Sequence, residues 1–225
     1  MTEKHTKEPQ YDRCLEIAEQ RLSTFGLMSN QVWHDDPRRL GFVLARYKFV
    51  SKMFSGMGRV LEVGCADAFG SRVVLQEVES LTATDFDPLF VEDVNRRMDP
   101  EWPFECLTHD MLAGPIDRGF DGVYAVDVIE HIPEAQEKRF VGNMVASLGP
   151  HGVCILGSPS LESQLYASPG SKAGHVNCKS ADGLKALMQQ FFHNVFIFSM
   201  NDEVVHTGYH KMAHYLFAIG SDRRA

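Results

Sequence analysis

The 225 residues carry 22 Lys and Arg against 30 Asp and Glu, giving a net charge of −8 and a pI near 5.7. That balance argues against a large nucleic-acid footprint, because such binders take most of their affinity from clustered basic residues. A hydrophobic content of 44% fits one large globular domain, and five cysteines with no C-x-x-C pair point to reduced thiols, a cytoplasmic compartment and no zinc site.

Residues 1–9 read as a frayed tail without an apolar targeting region, and no stretch approaches the apolar length of a membrane span. From Tyr11, the apolar residues Leu15, Ile17, Ala18 and Leu22 have helical spacing, and a second helical pattern runs from about Pro37 to Phe54. Residues 1–54 are therefore a helical extension, and 55–225 the main domain. Two roles fit the extension: covering a sheet edge with Trp33 as packing, or lidding a ligand pocket with Trp33, His34 or Tyr47 facing it.

Arg59-Val-Leu-Glu-Val-Gly-Cys-Ala-Asp-Ala-Phe-Gly-Ser71 reads as strand, tight turn and helix. Val60, Leu61 and Val63 suit a strand buried on both faces, while Gly64, Ala66, Ala68 and Gly70 keep the turn free of bulk so that backbone can approach a ligand. Glu62 puts a carboxylate into this apolar strand, and a carboxylate there needs a partner. The second strand, Leu81 to Asp85, ends in an acid 21 positions after Gly64. Asp87 and Pro88 then cap a helix reaching about Arg97. The third strand spans about 104–108 and ends in His109-Asp110-Met111, and the fourth runs from Gly122 to Val126 and ends at Asp127. A helix from about Pro133 to Leu148 leads to a fifth strand, Val153 to Leu156, and a helix from Ser180 through Phe192 to a sixth, Val195 to Met200. The last strand is His214 to Ile219. Between the fifth strand and the Ser180 helix lies Gly157 to Asn177, a Gly-, Ser- and Pro-rich stretch of about 20 residues, long enough to be expected as the acceptor-binding loop.

These motifs, in this order, resemble those of class I, Rossmann-like S-adenosylmethionine-dependent methyltransferases of the small-molecule type, over about three quarters of the chain. In that family the first motif runs E/D-x-G-x-G-x-G. Here it stands as Glu62-Val-Gly64-Cys-Ala66-Asp-Ala68, with alanine at the second and third glycines. The resemblance implies an α/β fold: a seven-stranded, mostly parallel sheet with an antiparallel last strand and helices on both faces. It implies S-adenosyl-L-methionine as cofactor, held by Glu62, Gly64, Cys65 and Ala66 along the loop, with Asp127 at the end of the fourth strand. Asp85 grips the ribose hydroxyls, which a carboxylate can accept in bidentate fashion. Phe86 packs on the adenine, Asp110 accepts from the adenine amino group and Met111 lies against the ring.

Asp127, Glu130 and His131 are spaced to share one face of an incipient helix. A similar Glu-x-x-Glu-His stretch in ubiquinone-biosynthesis O-methyltransferases is implicated in divalent-metal binding. Glu-His-x-Pro at this point also occurs in family members without metal, where it shapes the pocket. The reading adopted is no metal, with His131 as acid/base or acceptor-orienting group. Gly174-His175-Val-Asn177 resembles a G/K-H-x-N stretch of small-molecule methyltransferases and makes His175 the second such candidate. His206, Tyr209 and His210 either line the acceptor pocket or face water.

The expected activity is methyl transfer to an oxygen or nitrogen of a small molecule, such as a sugar or other hydroxylated metabolite, with no nucleic-acid or membrane partner. A protein or RNA methyltransferase and a non-catalytic binding module on the same fold are alternatives. An NAD-dependent oxidoreductase is disfavoured by the glycine spacing.

Overall fold

The computed structural model describes residues 5–116 and 118–224. Three helices precede the sheet: α1 (Asp12–Gln20), α2 (Leu27–Asp35) and α3 (Arg38–Met53). Strands and helices then alternate as β1 (Arg59–Val63), α4 (Ser71–Leu75), β2 (Ser80–Asp85), α5 (Pro88–Arg97), β3 (Glu105–Thr108), β4 (Phe120–Val126), α6 (Glu134–Ala146) and β5 (Leu148–Pro159). The apolar runs became strands because both faces of a parallel sheet are covered: in β1 only Arg59 is exposed. Asp87 caps α5 as its sequence implies, accepting from Leu89 N at 2.9 Å, with Pro88 in the first turn.

After β5 come α7 (Pro169–Gly174), α8 (Ala181–Met188), β6 (Phe192–Asn201), β7 (Val204–His206) and β8 (Tyr215–Arg223). The sheet order is β3-β2-β1-β4-β5-β8-β6-β7. Strands β1 to β5 are parallel, and β8 lies between β5 and β6, antiparallel to both. A plain dinucleotide-binding sheet orders its strands 3-2-1-4-5-6 with no such insertion, so the topology itself opposes the oxidoreductase reading.

Three expectations need correction. The sheet has eight strands, not seven, because the segment after Asn201 turns back at Asp202, which adopts φ 50°, and pairs Ser199 with His206. Short acidic or amide side chains tolerate that left-handed turn better than most. Strand β5 begins at Leu148 and not at Val153. A register shift opposite Phe120 and Gly122 lets the Gly149-Pro150 segment run on as strand instead of breaking it. Finally, the segment after Gly157 is not one continuous loop. Strand β5 takes its first residues, a 3-10 turn covers Glu162–Tyr166, and Ser168 caps α7 by accepting from Ser171 N at 3.1 Å.

Two cores sandwich the sheet. On one face α6 and α8 bury Phe140, Met144, Leu184 and Leu187 against Leu61, Val123 and Leu216. On the other, α3 and α4 bury Tyr47, Val50, Phe54 and Val74 against Val60, Tyr124, Ile155 and Phe217. Helix α3 thereby brings two polar side chains, Arg46 and Tyr47, to the carboxyl ends of β1 and β4. No helix is long and apolar enough to cross a membrane among the described residues.

Candidate active site

The turn after β1 sits where the sequence places it, and its backbone explains the small residues. Gly64, Ala66 and Ala68 all have positive φ, 76°, 46° and 51°. A β-carbon on Gly64 would overlap the Val128 side chain, so the loop lies directly against the segment following β4. Two of its amides are pinned to β2: Gly64 N and Cys65 N donate to Thr84 O at 2.7 and 2.9 Å. The Asp85 carboxylate holds the next, accepting from Ala66 N at 2.8 Å on one oxygen and from Asp87 N at 2.9 Å on the other. Each of those oxygens keeps a lone pair for a further donor. Beside them the Phe86 ring is 74% exposed, an apolar platform on the same rim.

The remaining expected cofactor residues divide by depth. Glu62, Cys65 and Met111 are all buried. Cys65 packs with Ala83 and Cys106, and Met111 sits in the main core, so both support the site from beneath. Asp110 is exposed and accepts from Leu112 N at 2.8 Å. Glu62 has the partners its position demanded: Tyr47 Oη donates to one carboxylate oxygen at 2.8 Å and Ser71 Oγ to the other at 2.5 Å. Burial pushes the Glu62 carboxyl upward while these bonds oppose it, and burial together with the Glu62 charge drives the Tyr47 hydroxyl well above its ordinary range.

The expected face of Asp127, Glu130 and His131 does not form. Asp127 adopts φ 60° and so breaks the chain direction, and only a short 3-10 turn, Ile129–His131, follows. Asp127 turns instead to α3, where Arg46 Nη1 lies 2.5 Å from Oδ2. The Arg46 guanidinium stacks 4.0 Å over the Tyr215 ring. Burial is the largest influence on the Arg46 charge and works against it, but Asp127, Tyr215 and Glu130 together hold the guanidinium above its ordinary range.

His175 takes the place that Asp127 vacates. Its ring centre lies 5.3 Å from that of His131, although the two are 44 residues apart in the chain. One ligand-type atom each from Glu130, His131 and His175 falls within 4.8 Å of the others. His131 is exposed and His175 half-buried; burial, then the neighbouring His131, lowers the His175 imidazole. Glu130 is 1% exposed, and burial followed by the Asp127 charge pushes its carboxyl well up. Of the other candidates, His206 is spent inside the β6–β7 hairpin on Asn201 Oδ1 and Gly208 N, both at 2.9 Å. Tyr209 is exposed, and Trp33 stacks on Phe25, centroids 5.6 Å apart.

Comparison with solved structures finds the same architecture in several proteins. The N-methyltransferase NodS from Bradyrhizobium japonicum WM9, in complex with S-adenosyl-L-homocysteine, is 18% identical with a TM-score of 0.61, over 92% of this chain and 97% of that one. The methyltransferase domain of bacterial CtHen1-C is 14% identical with a TM-score of 0.67, over 80% and 98%. A putative methyltransferase solved with the Haloferax volcanii Trm112 methyltransferase activator is 12% identical with a TM-score of 0.64, over 90% and 100%. At such identities the likeness is one of fold. No curated protein matches the sequence. Residues 60–152, which hold all four motifs, match the family described as a methyltransferase domain.

The chain has the Rossmann-like fold of class I methyltransferases, and its residues 60–152 match a methyltransferase domain.

Enzymes of that class draw their methyl group from S-adenosylmethionine, and this chain has features that suit it: a bulk-free loop, a ring-sized platform at Phe86, and a carboxylate at Asp85 with one lone pair spare on each oxygen. The sequence did not single out Arg46, which pairs with Asp127 at one side of the candidate site. Its signal was present: an arginine inside Phe42-Val-Leu-Ala-Arg-Tyr-Lys-Phe-Val50 sits on a helix face rich in apolar residues, where a charge needs a partner.

Proposed function

We propose that this protein is a methyltransferase that moves a methyl group from S-adenosylmethionine to an oxygen or nitrogen of a small molecule, a sugar or other hydroxylated metabolite. The observation that carries this reading is the convergence of the Gly64 loop, Asp85 and the Glu130/His131/His175 group at the carboxyl ends of β1, β2 and β4. Ligands bind at that edge of open α/β sheets. Bound S-adenosylmethionine supplies an electrophilic sulfonium methyl. Asp85 accepts from the ribose hydroxyls, Phe86 covers the adenine, and Arg46 holds Asp127 in place at the end of β4. His131 and His175 orient the acceptor, and alignment of the reactants contributes most of the rate, up to ~7–11 kcal/mol for well-oriented pairs.

Residues 1–54 belong to this reading as a helical extension whose α3 forms part of the framework of the cofactor site, supported by the Tyr47–Glu62 and Arg46–Asp127 contacts. The charge of −8 supports a small acceptor over a nucleic acid. Five unpaired cysteines support a reducing, cytoplasmic setting.

Calorimetric titration tests the reading. S-adenosylmethionine and S-adenosylhomocysteine bind, and NAD does not. Asp85→Ala weakens S-adenosylhomocysteine binding at least tenfold, the equivalent of about 1.4 kcal/mol. Phe86→Ala, an exposed site that leaves the core untouched, also weakens it, since stacking on a base contributes about 1–3 kcal/mol. Wild-type affinity in both variants, or preference for NAD, overturns the assignment.

A further inference from the structure

Glu130 poses the sharpest physical problem in the molecule. Its side chain is buried, and neither carboxylate oxygen has a hydrogen-bond partner among the described residues. The Ser158 hydroxyl lowers the Glu130 carboxyl slightly, the weakest of the influences on it, and is shared with Pro159 O at 3.2 Å. Arg46, the cation that acts on it, is already committed to Asp127. A buried carboxyl without a donor or a counter-charge is costly and rarely tolerated.

The two histidines beside it are set up for the same absent partner. His131 Nδ1 lies 2.9 Å from Gly174 O, and His175 Nδ1 lies 2.9 Å from Gln164 Oε1. Carbonyl and amide oxygens only accept, so both rings carry their proton on Nδ1 and present a lone pair at Nε2. An oxygen acceptor on one ring nitrogen is the arrangement that orients a metal-binding imidazole. The backbone locks the group further, because Val176 N and Asn177 N both donate to the Glu130 carbonyl, at 2.8 and 3.0 Å. The segment bearing His175 is thus stitched to the residue whose carboxylate it faces.

We infer that Glu130, His131 and His175 form a binding site for one divalent transition-metal ion on the acceptor side of the pocket. Two imidazoles and one carboxylate suit zinc, manganese, cobalt or nickel better than magnesium or calcium, which prefer oxygen ligands. From their spread of 4.8 Å the ligand atoms must close by ~1–2 Å to share one ion at bonds of about 2.0–2.2 Å. The exposed His131 side leaves coordination positions open to an acceptor oxygen, as in sites with three protein ligands. The histidines then orient the acceptor through the ion, which favours a hydroxyl acceptor over an amine. The site differs from the Asp127, Glu130 and His131 set that sequence spacing suggests: the ion pair with Arg46 takes Asp127 away, and His175 replaces it. This inference rests on the proposed methyltransferase reading of the same pocket.

The test uses the full chain, stripped with a chelator and titrated calorimetrically with zinc and manganese, with S-adenosylhomocysteine titrated in parallel. One ion binds per chain. Affinity falls at least tenfold in Glu130→Gln and His175→Ala, and about 10-fold or more in Gln164→Ala, which removes only the acceptor that orients His175. His131→Ala, an exposed position that does not threaten folding, gives the same loss. Cobalt added to the wild type produces a visible ligand-field band that is absent in His131→Ala. Absence of stoichiometric binding, or binding unchanged in His131→Ala and Gln164→Ala, overturns the site. Retained S-adenosylhomocysteine binding in that event confines the failure to the metal, whereas loss of both overturns the methyltransferase reading as well.

Discussion

At Ala66 the chain holds a residue with a β-carbon in left-handed backbone, φ 46°, where the family motif has glycine. The conformation is imposed from both sides: Ala66 N must reach Asp85 Oδ2, and the preceding amides are already tied to Thr84 O. Left-handed backbone costs an L-residue ~1–2 kcal/mol, while glycine loses ~0.5–1 kcal/mol more chain entropy on folding. The first effect wins. Ala66→Gly is therefore expected to raise stability by about 0.5–1 kcal/mol in urea unfolding, with unchanged secondary structure. Equal or lower stability would mean that the loop is relaxed with alanine in place. Ala68 is a poorer test, because its methyl is buried and deleting it gives up packing that offsets the relief.

At the scale of elements, α3 meets the loop helix α4 through Gly70. A β-carbon there would lie inside the Tyr47 ring, so glycine is what lets that ring pass and its hydroxyl reach Glu62. Gly70→Ala should cost ~1–3 kcal/mol by overpacking and by loosening the Tyr47–Glu62 bond. In a Tyr47→Leu background, which frees the space, the same substitution should cost much less; an equal cost in both backgrounds would remove the ring from the explanation. The strands, the Asp87 cap and the helix stripes were legible in the sequence because each depends on local periodicity and turn chemistry. So was the need of Glu62 for a partner, though not which residue supplies it. What sequence spacing could not show was tertiary: Arg46 claims Asp127 across 81 positions, and His175 reaches His131 only because α7 and its capped turn fold the segment back. Helical spacing on paper put Asp127, Glu130 and His131 together, and one left-handed residue undid it.

For the whole molecule, the boundary drawn at residue 54 from hydropathy separates two segments that share one core. Val50 and Phe54 of the extension are completely buried, and Tyr47 nearly so, against β1, β4 and β5. Each such side chain contributes about 1.5–3 kcal/mol on burial. Together they are comparable to the 5–15 kcal/mol that holds a whole domain. Removing them also strips Glu62 of its Tyr47 donor and Asp127 of Arg46, leaving two buried or half-buried carboxyls short of partners. Helix α1 is different, since none of its residues is buried. The 55–225 fragment should therefore lack a cooperative unfolding transition, whereas a chain starting at residue 21 should keep one at slightly reduced midpoint. Urea titration followed by circular dichroism reads both. A cooperative transition in the shorter fragment would make the extension a separable lid and would move Tyr47 and Arg46 from the framework of the site to its cover.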